Sequence, residues 1–153
     1  MERYVEMREY IFIAASWKQR DRVRKLANDI RELGHEVYDF TDPNCRKYKP
    51  IPPETFPEEY DPSIHLYKEY LNSYPDWKNA INENENAIDI CTIAVLLLPC
   101  GIDATADWAV AVGKDKETYI IGSPNKGERH PVHLWADDIF RTDEDFLDFI
   151  KGI

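Results

Sequence analysis

Apolar residues along this chain alternate between two patterns: short unbroken runs, and longer stretches in which they recur every third or fourth position. Tyr10 to Ala15 (YIFIAA) is a run of strand length, as expected of a strand buried on both faces. From Arg20 onward Val23, Leu26, Ala27 and Ile30 recur at helical spacing with charged residues between them, and Gly34 supplies the stop. His35 to Phe40 reads as the next strand, with Val37 buried, which completes a strand-helix-strand crossover of about 30 residues. Ser63 to Leu71 fits a short helix, and after Pro75 the positions of Trp77, Ala80, Ile81, Ala87 and Ile88 predict a longer one facing the core. Thr92 to Leu98 is a third strand, Ala104 to Val112 an almost wholly apolar helix, Thr118 to Ile121 a fourth strand and Asp138 to Phe140 a short fifth. Thr142 and Asp145 resemble a capping box opening the last helix, whose stripe is Phe146, Phe149, Ile150 and Ile153. Strands alternating with helices predict an α/β fold, a three-layer α/β/α sandwich with a mostly parallel flavodoxin/Rossmann-like sheet, forming one domain over residues 1–153. In such folds ligands bind outside the carboxyl ends of the strands.

Thr41 to Pro62 breaks the periodicity with six prolines, a density that neither a helix nor a central strand tolerates. A loop of that length inside a domain is often functional, and a lid over a site is the expectation.

Charge and composition narrow the partners. With 19 basic against 29 acidic residues the net charge is −10, which repels phosphate backbones and anionic lipid, so neither a long nucleic acid nor a membrane is expected as a partner. No run approaches the roughly 18 apolar residues of a membrane span, and the charged start MERYVEMREY does not resemble a signal peptide, so a cytoplasmic location is expected. Cys45, Cys91 and Cys100 lack CxxC spacing and read as reduced thiols rather than disulfide or zinc ligands. His130 and His133 lack a third ligand at a familiar spacing, so they read as a surface loop and no metal is expected. No glycine-rich dinucleotide fingerprint or P-loop is present, and no cofactor is expected.

Two strand ends carry candidate chemistry. After the first strand, Ser16, Trp17 and Arg20 lie at the start of a helix, where unpaired N–H groups favour an anion; the plainer reading makes Ser16 a helix cap and Arg20 a solvated side chain. After the third strand, LLLPCGIDATADWAVAVGK turns at Pro99 and Gly101, with Cys100 expected as a wall thiol. Asp103 is placed as an N-cap. Asp107 lies one turn further along a helix otherwise too apolar to need a carboxylate, which makes it a candidate nucleophile or base. Asp89 precedes the third strand, far from its carboxyl end, and reads as structural.

Taken in order, FIAASWKQRDRVRKLANDIRELGHEVYDFTDP, AIDICTIAVLLLPCG, a small-residue segment with an acid, and AVAVGK resemble the nucleoside 2-deoxyribosyltransferase-like family over roughly residues 9 to 122. The resemblance implies a pocket for a nucleoside or nucleoside monophosphate, built from the loops after the first and third strands. It implies that the family's nucleophilic glutamate falls on Asp107, six positions after Gly101. Aspartate is one methylene shorter, which sets its oxygen about 1 to 1.5 Å further from the sugar, and misplacement of that size can cost on the order of 100-fold. Ser16, Arg20 and the backbone around Gly101 would hold the sugar or its phosphate, with Asp103 beside them; Asp39 or Tyr60 would contact the base, and Trp17 or Phe40 would stack on it. A homodimer or larger homo-oligomer is also implied. Two rivals stand beside an N-glycosidic hydrolase or transferase: a nucleotide-binding sensor that does not turn its ligand over, for which a shortened nucleophile is the supporting feature, and an NAD-cleaving enzyme related in fold to Toll/interleukin-receptor domains.

Overall fold

The computed structural model describes residues 8–46, 60–73 and 75–153. Most of the proline-rich segment expected to form a lid therefore lies outside the described residues. Five strands, β1 (Tyr10–Ala14), β2 (Glu36–Tyr38), β3 (Ile93–Leu97), β4 (Glu117–Ile121) and β5 (Asp138–Phe140), form one sheet in the order β2-β1-β3-β4-β5. Every neighbouring pair is parallel. The helices are α1 (Arg20–Glu32), α2 (Tyr67–Asn72), α3 (Pro75–Ile90), α4 (Ile102–Gly113) and α5 (Asp143–Lys151).

The two-residue period of a strand divides the core in two. Ile11, Ile13, Ile93, Val95, Leu97, Tyr119 and Ile121 face α1 and α5, and meet Val23, Leu26, Ala27, Ile30, Phe146 and Ile150. Phe12, Ala14, Ala94, Leu96 and Ile120 face α3 and α4, and meet Ala87, Ile88, Ala104, Trp108 and Ala111. This is the expected three-layer sandwich, and the unbroken apolar runs are the strands that both layers cover. Full burial of one such side chain contributes about 1.5–3 kcal/mol. His35 closes the base of the sheet: its Nδ1 accepts from the Glu9 N–H at 3.0 Å, and its Nε2 faces the Ile150 carbonyl at 3.3 Å. Asp89 pairs with Lys114 at this same end, away from the carboxyl ends, in keeping with a structural role.

Several local expectations are corrected. Ile81 was expected in the core but is 64% exposed, because the inward stripe of α3 runs through Ala80, Ala87 and Ile88. Ile153 falls beyond the last turn of α5 and is exposed. Trp135, expected either against the sheet or at an oligomer interface, is 55% exposed and so not against the sheet, since the 3-10 turn Pro131–Trp135 delivers Ala136 to the α3/α4 layer instead. Thr142 caps α5 as read, its hydroxyl accepting from the Asp145 N–H at 3.1 Å, which is the first half of a capping box. No helix among the described residues is long and apolar enough to cross a membrane.

Candidate active site

In the order β2-β1-β3-β4-β5 the chain reverses direction across the sheet between β1 and β3, and crevices form where such a reversal splits the loops. Ala14 pairs with Leu96, so the segments leaving these two strands open side by side. Side chains at the start of α1, from its N-cap Gln19 and from Arg22, fix the β3 exit. The Gln19 amide donates to the Pro99 carbonyl at 2.7 Å, and the Arg22 guanidinium donates to the Leu98 carbonyl at 3.0 Å across a cis Leu98–Pro99 peptide. Arg22 also grips Asp143 with two nitrogens at 2.7 and 3.1 Å, which ties α1 to the start of α5. Arg22→Ala is expected to lower stability by about 2 kcal/mol, because it leaves a partly buried carboxylate and a carbonyl without their donor. The urea midpoint reads this directly, and a shift worth under about 0.5 kcal/mol would refute it.

On the far side of the turn, Gly101 is the N-cap of α4 in an extended conformation, with open space where a side chain would stand. Asp103 was expected in that capping role; it lies instead in the first turn, exposed, and makes no cap bond. Its charge still favours the helix N-terminus. Asp107 follows four residues later on the same face of α4 and is partly buried. Burial, with the Asp103 charge adding, pushes the Asp107 carboxyl up to about 6, against the pull of Arg46 and of a hydrogen bond from Asn84.

That hydrogen bond belongs to a chain the sequence reading missed. Tyr38, at the end of β2, is buried with its ring stacked on Phe12 at 5.3 Å, and its hydroxyl donates to the Asn84 carbonyl oxygen at 3.1 Å. The Asn84 amide nitrogen in turn donates to Asp107 Oδ2 at 3.2 Å. Arg46, whose side chain is 8% exposed, lies 3.9 Å from Glu83 and acts electrostatically on both Tyr38 and Asp107. The charge of this guanidinium, acting on a partly buried carboxylate, keeps an anionic form accessible that burial alone would suppress.

The other expected residues form a second group. Ser16 caps the 3-10 turn Trp17–Gln19, accepting from the Lys18 N–H at 3.3 Å, so its capping role is the one seen. Arg20 lies over the Trp17 ring at 5.7 Å, and Trp17 meets Phe40 at 6.2 Å, which makes one aromatic wall from the loops after β1 and β2. Asp39 does not join them. Its carboxylate accepts from both the N–H and the hydroxyl of Thr41, at 2.8 and 2.6 Å, on the wall of a separate cleft of about 210 Å³ beside Arg24 and Arg31. Tyr60 packs against Tyr67 and Tyr70 at 5.1 and 5.3 Å. The Cys100 thiol, pushed up by burial, faces the Thr105 hydroxyl at 3.4 Å as a wall group. His130 and His133 stack edge to face at 5.7 Å, and among the described residues no three His, Cys, Asp or Glu converge as metal ligands.

No family model matches the chain, and no curated protein resembles it in sequence. Solved structures do resemble it in fold. A 2-deoxyribosyltransferase from the psychrotolerant bacterium Bacillus psychrosaccharolyticus superposes with a TM-score of 0.54 at 16% identity, over 91% of this chain and 90% of that one. The Clostridium botulinum CMP N-glycosidase BcmB superposes with a TM-score of 0.52 at 14% identity, over 93% of this chain and 98% of that one. With its parallel β2-β1-β3-β4-β5 sheet and helices on both faces, the chain has the fold of the nucleoside 2-deoxyribosyltransferase-like proteins.

Proposed function

We propose that this protein cleaves or exchanges the N-glycosidic bond of a nucleoside or nucleoside monophosphate, with Asp107 as nucleophile. One observation supports this above the rest: a partly buried carboxylate, held by a hydrogen bond and acted on by the charge of Arg46, lies on the helix that follows β3, the strand next to the point where the sheet order reverses. Two of the solved structures that share the fold are a deoxyribosyltransferase and an N-glycosidase.

The chemistry is that of a retaining glycosidase. An Asp107 oxygen bonds to the anomeric carbon as the carbon–nitrogen bond breaks, and the electron pair of that bond leaves with the base, whose nitrogen takes up a proton. Water or a second base then attacks the same carbon and frees the carboxylate. Trp17 and Phe40 offer a stacking wall, Ser16 and Arg20 hold the sugar or its phosphate, and the open space at Gly101 admits the ligand close to the backbone. A homo-oligomer fits the apolar surface of Leu134 and Trp135 beside the edge strand β5, and light scattering of the purified protein tests it.

The deciding assay offers ribo- and deoxyribonucleosides, their 5′-monophosphates and NAD, with and without a second free base, and follows base release or exchange by chromatography. Only the ionised carboxylate attacks, so turnover is expected to rise with pH through about 6 and to level off above it. A rate that instead falls as pH rises through this range would remove Asp107 from the nucleophile's role. The rival reading, a nucleotide sensor, draws on the shortness of the aspartate side chain. It predicts no turnover of any compound, with a nucleotide still raising the melting temperature.

A further inference from the structure

We infer that Tyr38 and Asn84 are positioning residues for Asp107: the Tyr38 hydroxyl fixes the rotation of the Asn84 amide, so that its NH2 group holds one Asp107 oxygen and leaves the other free to react. The mechanistic half of this inference rests on the proposed nucleophilic role of Asp107; the structural half does not.

An asparagine amide has a donor end and an acceptor end of almost identical shape, and only its partners decide which way it points. Here the phenol decides. Tyr38 is buried, its ring is clamped parallel to Phe12 with 5° between the planes, and burial raises its hydroxyl above the ordinary phenol range, so it keeps its proton. That proton goes to Asn84 Oδ1. Rotating the amide by half a turn would strand the phenol proton and set the amide oxygen against the carboxylate. Among the described residues the groups acting on Asp107 come from three elements: Asp103 from its own helix raises its affinity for protons, while Asn84 from α3 and Arg46 from the segment after β2 lower it. Glu83 faces Arg46 and acts on Tyr38. Of these, Asn84 alone donates a hydrogen bond of set direction, and it does so from the buried stripe of α3, one turn from Ala80 and Ala87.

The test uses protein labelled with 13C at the aspartate carboxyl carbons, with the Asp107 signal assigned by its absence in Asp107→Asn. Its titration midpoint is measured in the parent, Tyr38→Phe, Asn84→Leu and the double variant. Asn84→Leu is expected to raise the midpoint by about half a pH unit or more, and Tyr38→Phe to raise it in the same direction by less. Because Tyr38 acts through Asn84, the double variant should titrate with Asn84→Leu alone. Additive shifts, or a midpoint unmoved by Tyr38→Phe, overturn the inference. Tyr38→Phe keeps the ring and its stacking, so it stays informative if Asn84→Leu does not fold. In the turnover assay the acid limb should move by the same amount, with kcat falling more than KM changes. The titration needs no turnover, so an inactive protein with the expected midpoints would sink the proposed reaction and leave the relay standing.

Discussion

Asp107→Asn is expected to abolish base release, by on the order of 1,000-fold or more, while making the folded protein more stable at neutral and alkaline pH. Both effects come from one carboxyl group. The amide that replaces it has almost the same shape and can still accept from Asn84, but it cannot bond to an anomeric carbon, and a loss of that size corresponds to about 4 kcal/mol of transition-state stabilisation. The stability effect follows from the sign of the shift. Asp107 titrates near 6 in the folded protein against 3.8 as its ordinary value, so its contribution is fully present below 3.8 and is lost as pH rises through about 6. Holding the ionised form therefore costs the parent protein about 3 kcal/mol at pH 8, which the neutral asparagine avoids. Melting curves should separate by about 5–10 °C at pH 8 and converge at pH 4. Equal melting temperatures at both pH values would mean that the site is better solvated than its burial implies. Lower stability at pH 8 would mean that Arg46 makes the ionised form the preferred one.

The largest structural effect is expected at Gly122. This residue follows β4 with a φ of +101°, and a β-carbon there would stand 2.6 Å from the Leu98 carbonyl oxygen. Gly122→Ala thus combines backbone strain with a clash against a main-chain atom that Arg22 already holds in place. A loss of about 3 kcal/mol or more is expected, read as a fall in the urea midpoint. Gly34→Ala is the internal control. Gly34 has a similar φ of +91° but open space around it, so only the conformational cost, about 1 kcal/mol, should appear. Equal losses in the two variants would show that the contact with Leu98 relaxes freely. The turn leading to Cys100 and Gly101 should move with Leu98, so turnover in Gly122→Ala should fall further than the fraction of folded protein does.

The strands, the layers and the carboxyl-end loops were legible because each rests on a local pattern that burial enforces: Ile93 to Leu97 can be continuously apolar only where both faces of the sheet are covered. Asp107 was legible as a carboxylate out of place on an apolar helix. What holds it was not. Asn84 sits at the helical spacing shared by Ala80, Ala87 and Ile88, where a polar side chain is anomalous, but its place among NENEN disguises it as part of a solvated face. Tyr38 and Arg46 reach the site from the far end of β2, a pairing that no sequence period announces. Asp39, legible as a strand-end acid, was lost to its own turn, since a threonine two residues on can satisfy both oxygen lone pairs locally. Asp103 shows the limit of capping statistics. The extended residue that starts α4 is Gly101, two positions earlier, so the aspartate contributes its charge to the first turn rather than a bond.

The position of β1 between β2 and β3 also dictates how the chain can fold. Ile11 finds its neighbour Val37 as soon as the first crossover is made, but its other neighbour, Ile93, arrives only after α2 and α3 have been synthesised. A nascent chain ending before β3 holds a two-stranded parallel pair, with Ile11 and Ile13 apolar on one side, Phe12 and Ala14 apolar on the other, and an unpaired backbone edge along β1. Long-range parallel pairing of this kind is slow, and the half-made sheet is sticky. Refolding from denaturant is accordingly expected to be concentration-sensitive, and synthesis on the ribosome to depend on chaperones until the third strand pairs with the first.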